Sequence, residues 1–324
     1  MNSPPPLSRG SFAARDWFLL AAVALMWGLS FIFIKIGAEG LTPATVAWLR
    51  LAFGAAALAL LPGARAPLRE GREWWPVILL GLVWMAVPFV LFAAAEQRIP
   101  SALAGMINGS APLFTMLIAT AVSRKGPGKR LALGLVIGFA GVVAVSLPEV
   151  TEGGNTAGIL MVVAATALYG VAFNLTGPLQ ARNGTLPVIW RSQLAALILL
   201  TPAGLAGLGT SAPTPEGLAA TAALGIISTG TAFACFAMLV DRVGAPRASI
   251  ATYLVPVVAI LVGALASEPL RPIALVGIVL VLSGAYLSSS APQRRPCAKA
   301  SIAGRRRKRP ISNSTTSETG DRSP

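Results

Sequence analysis

The sequence predicts an all-α, polytopic membrane protein with ten transmembrane helices arranged as a 5+5 inverted-topology repeat. Three observations carry that expectation: an unusually apolar composition, apolar runs of membrane-crossing length that recur along the chain, and a residue-by-residue match between its two halves. Of 324 residues, 55% are hydrophobic and 12% charged, about half the charged share of ordinary soluble domains. A water-soluble fold has no place for so much apolar surface. Most of the 33 glycines fall inside the apolar runs, where membrane helices tolerate them better than soluble ones do.

A helix needs about 20 apolar residues to cross a hydrocarbon core of about 30 Å. Ten stretches meet that need approximately: 17–36, 43–61, 75–95, 101–123 and 131–147, then 157–177, 186–208, 217–240, 248–267 and 272–290. The first follows Arg9 and Arg15 as a signal peptide would. Its apolar stretch is longer than the usual 7–15 residues and lacks a convincing small-residue cleavage site, so it reads as a span. The expected division is a cytoplasmic segment 1–16, a first five-helix unit 17–147, an extracytoplasmic connector 148–156, a second unit 157–290, and a basic cytoplasmic tail 291–324.

Orientation follows from Lys and Arg, which are enriched in cytoplasmic loops. With the N-terminus inside, 21 of the 26 basic residues fall in inner segments, against Arg98 and Arg271 in outer loops. Leaving out the tail, the ratio is still 12 to 2. Both termini are therefore expected in the cytoplasm and the chain in the inner, cytoplasmic membrane.

The halves match at an almost constant offset. Gly28, Phe31 and Trp48 pair with Gly170, Phe173 and Trp190 at 142; Gly134 and Gly141 pair with Gly277 and Gly284 at 143. Gly81, Phe89, Phe92, Arg98 and Pro112 pair with Gly225, Phe233, Phe236, Arg242 and Pro256 at 144. Five spans per half is an odd number, so the second half enters the membrane inverted. Inverted repeats are a mark of secondary transporters, in which two similar halves rock about a site near the bilayer midplane.

Pro- or Gly-interrupted helices at corresponding positions are the best sequence pointer to that site. Gly105-Met106-Ile107-Asn108-Gly109-Ser110-Ala111-Pro112 and Ser249-Ile250-Ala251-Thr252-Tyr253-Leu254-Val255-Pro256 are such a pair. Each proline removes the donor for the carbonyl four residues earlier, which frees the carbonyls of Asn108 and Thr252. Lipid cannot satisfy them, so they should face a neighbouring helix or a wet cavity. Pro112 and Pro256 are the expected kinks.

Charges inside spans are functional candidates by default. Arg50 lies about 10 Å along the second span at 1.5 Å per residue, placed either to attract an anion or to pair or snorkel. Arg191 is nearer an inner end and reads more simply as snorkelling. Lys35 reads as an interfacial anchor or gate residue. All twelve acidic residues fall in loops, tails or span ends, so a mid-span carboxylate of the kind that relays protons is missing. Proton coupling through Glu39, Glu96 or Asp241 at a rim stays open, with no further support in the sequence. Within the spans, Trp27, Phe31, Trp84, Tyr169, Phe173 and Tyr253 are aromatic residues able to line a pocket, whereas Trp17, Trp74 and Trp75 suit the interfacial belt. The candidate substrate cavity is thus Trp27, Ser30, Phe31, Arg50, Trp84, Asn108, Tyr169, Asn174, Thr252 and Tyr253. Gly134-x-x-x-Gly138 reads as close helix packing.

Trp27-Gly28-Leu29-Ser30-Phe31, then Lys35, then Arg50 in the next helix, resembles the opening of the EamA family of the drug/metabolite transporter superfamily. The five-plus-five repeat and the prolines of the fourth and ninth spans are similar too. The resemblance implies a ten-helix carrier, commonly an exporter of amino acids or related metabolites, with a central cavity. Gly177 stands where the repeat of Lys35 would fall, which confines any lysine role to one half. The first helix lacks the glutamate of the small multidrug members.

Small-molecule substrate and lipid bilayer are the expected partners, with monomer and homodimer equally open. A lipid translocase is the alternative, and a membrane-embedded enzyme a weaker one, since no nucleophile or acid cluster stands out. No cofactor or metal is expected, and the chain has no histidine. The formal charge of +14 and the run Arg305–Arg309 belong to a Ser- and Pro-rich tail too polar to fold. They suit anionic lipid rather than nucleic acid. Cys235 and Cys297 lie in unlike environments and read as free thiols.

Overall fold

The computed structural model describes residues 13–69, 73–124, 128–151, 155–243, 248, 251–268 and 272–289. Residues 1–12 of the N-terminal segment, the tail with Cys297, residues 152–154 of the connector, Lys125, Ser249, Ile250 and Arg271 lie outside the described residues. Every regular element among them is helical.

In chain order these are α1 (Ala14–Ala38), α2 (Pro43–Ala59), a short 3₁₀ turn (Pro62–Arg65), α3 (Trp74–Gly81), α4 (Val87–Glu96), α5 (Ser101–Asn108), α6 (Ala111–Ser123) and α7 (Lys129–Thr151). They continue as α8 (Thr156–Asn183), α9 (Thr185–Leu208), α10 (Pro215–Gly225), α11 (Ala232–Val243), α12 (Ala251–Leu265) and α13 (Pro272–Ser289). Side chains set several starts: Thr42, Asn155 and Thr214 accept the amides of Thr45, Gly158 and Gly217. Such caps supply partners for amides that the first turn leaves open. Gly184, at φ +83°, is the single residue between α8 and α9, a conformation that glycine adopts without steric cost.

Six helical stretches are long and apolar enough to cross a membrane: Ala14–Ala38, Trp74–Glu96, Ser101–Val122, Thr156–Asn183, Thr185–Leu208 and Pro215–Val243. Pro43–Ala59, Ala132–Leu147, Ala251–Leu265 and Leu275–Gly284 are shorter apolar helices. The outer surface is itself apolar, with Phe18, Leu60, Val122, Val136, Leu160, Ile198, Leu261 and Val279 exposed. This surface belongs in lipid, and the protein is a membrane protein.

Two long helices contain π-helical turns. Leu82–Ala86 joins α3 to α4 and Ile226–Thr231 joins α10 to α11. Pro88, two residues past the first, has no N–H for the Trp84 carbonyl. In the second, the Thr229 hydroxyl donates to the Leu224 carbonyl five residues back at 2.9 Å.

The two expected kinks differ. Before Pro112 the helix ends at Asn108 and restarts at Ala111, and the Ser110 hydroxyl donates to the Ile107 carbonyl at 2.7 Å. Around Pro256, helix α12 runs on without interruption. Gly109 and Ser110 favour a break that Tyr253, Leu254 and Val255 do not. Among the described residues, a break in the helix is thus seen at Pro112 and not within 251–265. The segments still meet, because a Cβ on Gly109 would lie 2.7 Å from the Pro256 ring and one on Gly105 2.3 Å from Ala259.

Helix contacts occur in exchanged pairs. α1 packs on α12 as α8 packs on α5 and α6; α1 meets α11 as α8 meets α4; α2 meets α10 as α9 meets α3. Between α2 and α9, Trp48 donates to Thr201 (3.2 Å) and Trp190 to the Ala55 carbonyl (3.1 Å). α7 and α13 pack closely on each other through glycine: a Cβ on Gly284 would lie 2.4 Å from the Gly138 nitrogen and 2.5 Å from the Gly134 oxygen. Small residues allow that backbone approach.

Arg191 does not snorkel. It is buried and donates to the carbonyls of Ala64, Arg65 and Pro187 at 3.3–3.4 Å, with its guanidinium carbon 5.8 Å from the Trp74 ring centre and 5.6 Å from that of Trp190. Its guanidinium closes the turn after α2, whose carbonyls would otherwise lack donors.

Candidate substrate cavity

The central cavity is lined by Trp27, Ser30, Phe31 and Ile34 of α1, Arg50 of α2, Trp84, and Phe89 and Phe92 of α4. Asn108, Ala111, Tyr169, Phe173, Phe233, Thr252 and Val255 complete it. Most of the wall is one run of aromatic contacts: Phe31 to Phe92 (5.8 Å between centroids), Tyr169 (5.7 Å), Phe173 (6.0 Å), Trp84 (6.1 Å), Phe233 (5.1 Å) and Trp27 (5.8 Å). Such edge and tilted pairs hold one another in place, so the wall is stiff.

The polar groups are few and specific. Arg50 is 6% exposed, with its guanidinium carbon 3.7 Å from the centre of the Phe89 ring. Its Nε donates to Thr229 Oγ1 at 2.9 Å, in the π-helical turn. The ion pairs among the described residues are Arg182–Glu73 and Arg242–Asp16, so Arg50 has no carboxylate partner there. Asn108 Oδ1 is buried and has no hydrogen-bond partner among the described residues. Ser30 gives its proton to the Trp27 carbonyl and offers the cavity an acceptor only.

Eight of the ten sequence candidates line this space: Trp27, Ser30, Phe31, Arg50, Trp84, Asn108, Tyr169 and Thr252. Asn174 and Tyr253 do not. Asn174 Nδ2 donates to the carbonyls of Thr115 (3.0 Å) and Gly170 (2.8 Å), tying α8 to α6. Tyr253 packs with Leu113 and Leu135. Each follows a lining residue, Phe173 or Thr252, and one helical step of about 100° turns it off the cavity face. Phe89, Phe92 and Phe233 were missed as lining residues although they are repeat-matched positions. Ile34, Ala111 and Val255 were missed although they lie three residues beyond Phe31, Asn108 and Thr252. The same helical spacing would have found them.

At the end of the molecule expected outside, Lys35 Nζ donates to the carbonyls of Glu96 (2.9 Å) and Ile99 (3.3 Å), joining α1 to the end of α4. Glu268 accepts the amides of Ser101 (3.0 Å) and Ala102 (2.8 Å) at the start of α5. At the opposite end, Arg242 is bonded to Asp16. Asp241 and Glu39 are exposed.

The sequence model of the EamA-like transporter family matches this chain twice, over residues 16–147 and 156–290. A probable terminal-alkyne amino-acid exporter of Streptantibioticus cattleyicolor is 29% identical over 84% of this chain and 92% of its own. The uncharacterized transporter YwfM of Bacillus subtilis is 30% identical over 87% and 96%. The uncharacterized inner membrane transporter YedA of Escherichia coli K12 is 27% identical over 86% and 94%. One solved crystal structure shares the fold with a TM-score of 0.60 at 18% identity, covering 86% of this chain and 97% of that one. With its fold in common with that structure and both halves matched by one family, the chain belongs to the EamA-like transporter family.

Proposed function

We propose that this transporter exports a small amphipathic metabolite bearing a carboxylate, such as an amino acid, across the cytoplasmic membrane by alternating access. The observation that carries the reading is Arg50. A guanidinium buried with no ion pair among the described residues is costly, and a cation–π contact returns only about 2 kcal/mol. An incoming carboxylate would complete it bidentately through the terminal nitrogens. Asn108 Oδ1 and the aromatic faces suit an ammonium group and an apolar side chain. The name of the Streptantibioticus relative, an amino-acid exporter, points the same way.

In this reading the four shorter apolar helices also span, making ten, with both termini inside. The exchanged helix contacts and the π-helical turns about 144 residues apart support two inverted halves, 17–147 and 157–290. Residues 1–16, 148–156 and 291–324 would flank and join them. The test is metabolite profiling of medium and cells with and without the protein. Accumulation outside of a carboxylate-bearing compound, lost in Arg50→Gln, is the expected result. An exported compound without an acidic group would overturn it.

A further inference from the structure

Glu96 ends α4 one helical turn beyond Phe92, which lines the cavity. Its residue is 0% exposed, and neither carboxyl oxygen has a hydrogen-bond partner among the described residues. Lys35 bonds to the backbone carbonyls of Glu96 and Ile99 instead of to this carboxyl. Elements packed on α4 are α1, α2, α5 and α8. The titratable groups they bring are Lys35 from α1, Arg50 from α2 and Tyr169 from α8; α5 brings none. Glu268, which follows α12, lies at the start of α5, where the amides of Ser101 and Ala102 occupy both its oxygens.

An ionised carboxylate stripped of water and of every hydrogen bond costs several kcal/mol or more, and a buried group escapes that cost by holding a proton. We propose that Glu96 is the proton-binding site of this transporter, protonated while the outer end is closed and deprotonated when that end opens. On opening, water reaches the carboxyl, its O–H gives the proton to that water, and the resulting carboxylate takes the Lys35 ammonium from the two carbonyls it holds. Loss of those bonds frees the end of α4 from α1. The proposal rests on the alternating-access reading and adds an exchange of one proton with the outer medium per opening.

The test needs no knowledge of the cargo. Cys235 and Cys297 are replaced by Ser and a cysteine is placed at Ala111 in the cavity wall. Right-side-out vesicles are then labelled with a membrane-impermeant maleimide from about pH 5 to about pH 9, the range over which carboxyls in differing surroundings titrate. Rates are divided by those of an exposed Glu216→Cys reference, which removes the thiol's own titration. Labelling of the Ala111 position should rise with pH, by at most about tenfold per unit for a single proton. With Glu96→Gln it should stay low and flat, and with Glu268→Gln the rise should persist. Infrared spectra of the purified protein should show a protonated-carboxyl band lost in Glu96→Gln alone. Equal pH dependence with and without Glu96, or no such band, would overturn the proposal. A substrate lacking a carboxylate would overturn the reading of Arg50 and leave these labelling results standing.

Discussion

Arg50 shows how a single side chain can define a site. Its Nε is held by Thr229, its face lies on Phe89, and it lines the cavity without an ion pair among the described residues. Replacing it with Gln keeps a polar side chain but removes the charge-assisted bonds to a carboxylate, each worth about 1.5–3 kcal/mol. Transport efficiency of a carboxylate substrate in reconstituted vesicles should fall roughly 10- to 100-fold. Arg50→Lys should rescue it only in part, because an ammonium lacks the planar fork. Tyr253→Phe, by contrast, should leave transport rates within about twofold, since its ring packs on Leu113 and Leu135 and does not line the cavity. These residues also show what a sequence conceals. That Arg50 matters was legible, because a charge inside an apolar span needs a reason. That Thr252 faces in and Tyr253 faces out was not, because neighbouring residues share a spacing and differ only in a rotation that packing decides.

At the scale of elements, glycine and the π-helical turns do the positioning. The α7–α13 contact depends on Gly141, Gly277 and Gly284, where an added Cβ would strike backbone of the facing helix. Gly284→Val should therefore cost about 1–3 kcal/mol through overpacking, lowering the unfolding temperature of purified protein in detergent. Unchanged unfolding would mean that the two helices can separate freely. The π-helical turn at Ile226–Thr231 delivers Thr229 to Arg50, so Thr229→Val should raise KM several-fold, the worth of one hydrogen bond to a charged group. The Gly-x-x-x-Gly spacing made the first contact legible. Pro88 was a usable signal for one π-helical turn, but Ile226-Ile227-Ser228-Thr229-Gly230-Thr231 carries no proline and looks like ordinary apolar helix. The unbroken α12 is the converse case: a proline without Gly or Ser before it did not break its helix.

For the whole molecule, the all-helical membrane class was legible from composition and from the length of the apolar runs. The offset match of Trp48 with Trp190 picked out two residues that cross-link α2 and α9 in opposite directions. The burial of Glu96 was not legible, since a residue at a span end faces water or protein according to how its neighbours pack. Topology has a direct check in a background without Cys235 and Cys297. Glu216→Cys should react with an impermeant reagent from outside and Lys129→Cys only from inside; the reverse pattern would invert the molecule. The central claim is that Arg50 reads a carboxylate, and a double cycle on the exported compound tests it most directly. Flux through reconstituted protein is measured for the acid and for its amide, in wild type and in Arg50→Gln. The account predicts that amidation and the substitution each lower flux at least about tenfold and that together they lower it no further, as for two partners of one interaction. Equal loss of acid and amide flux in Arg50→Gln would contradict it.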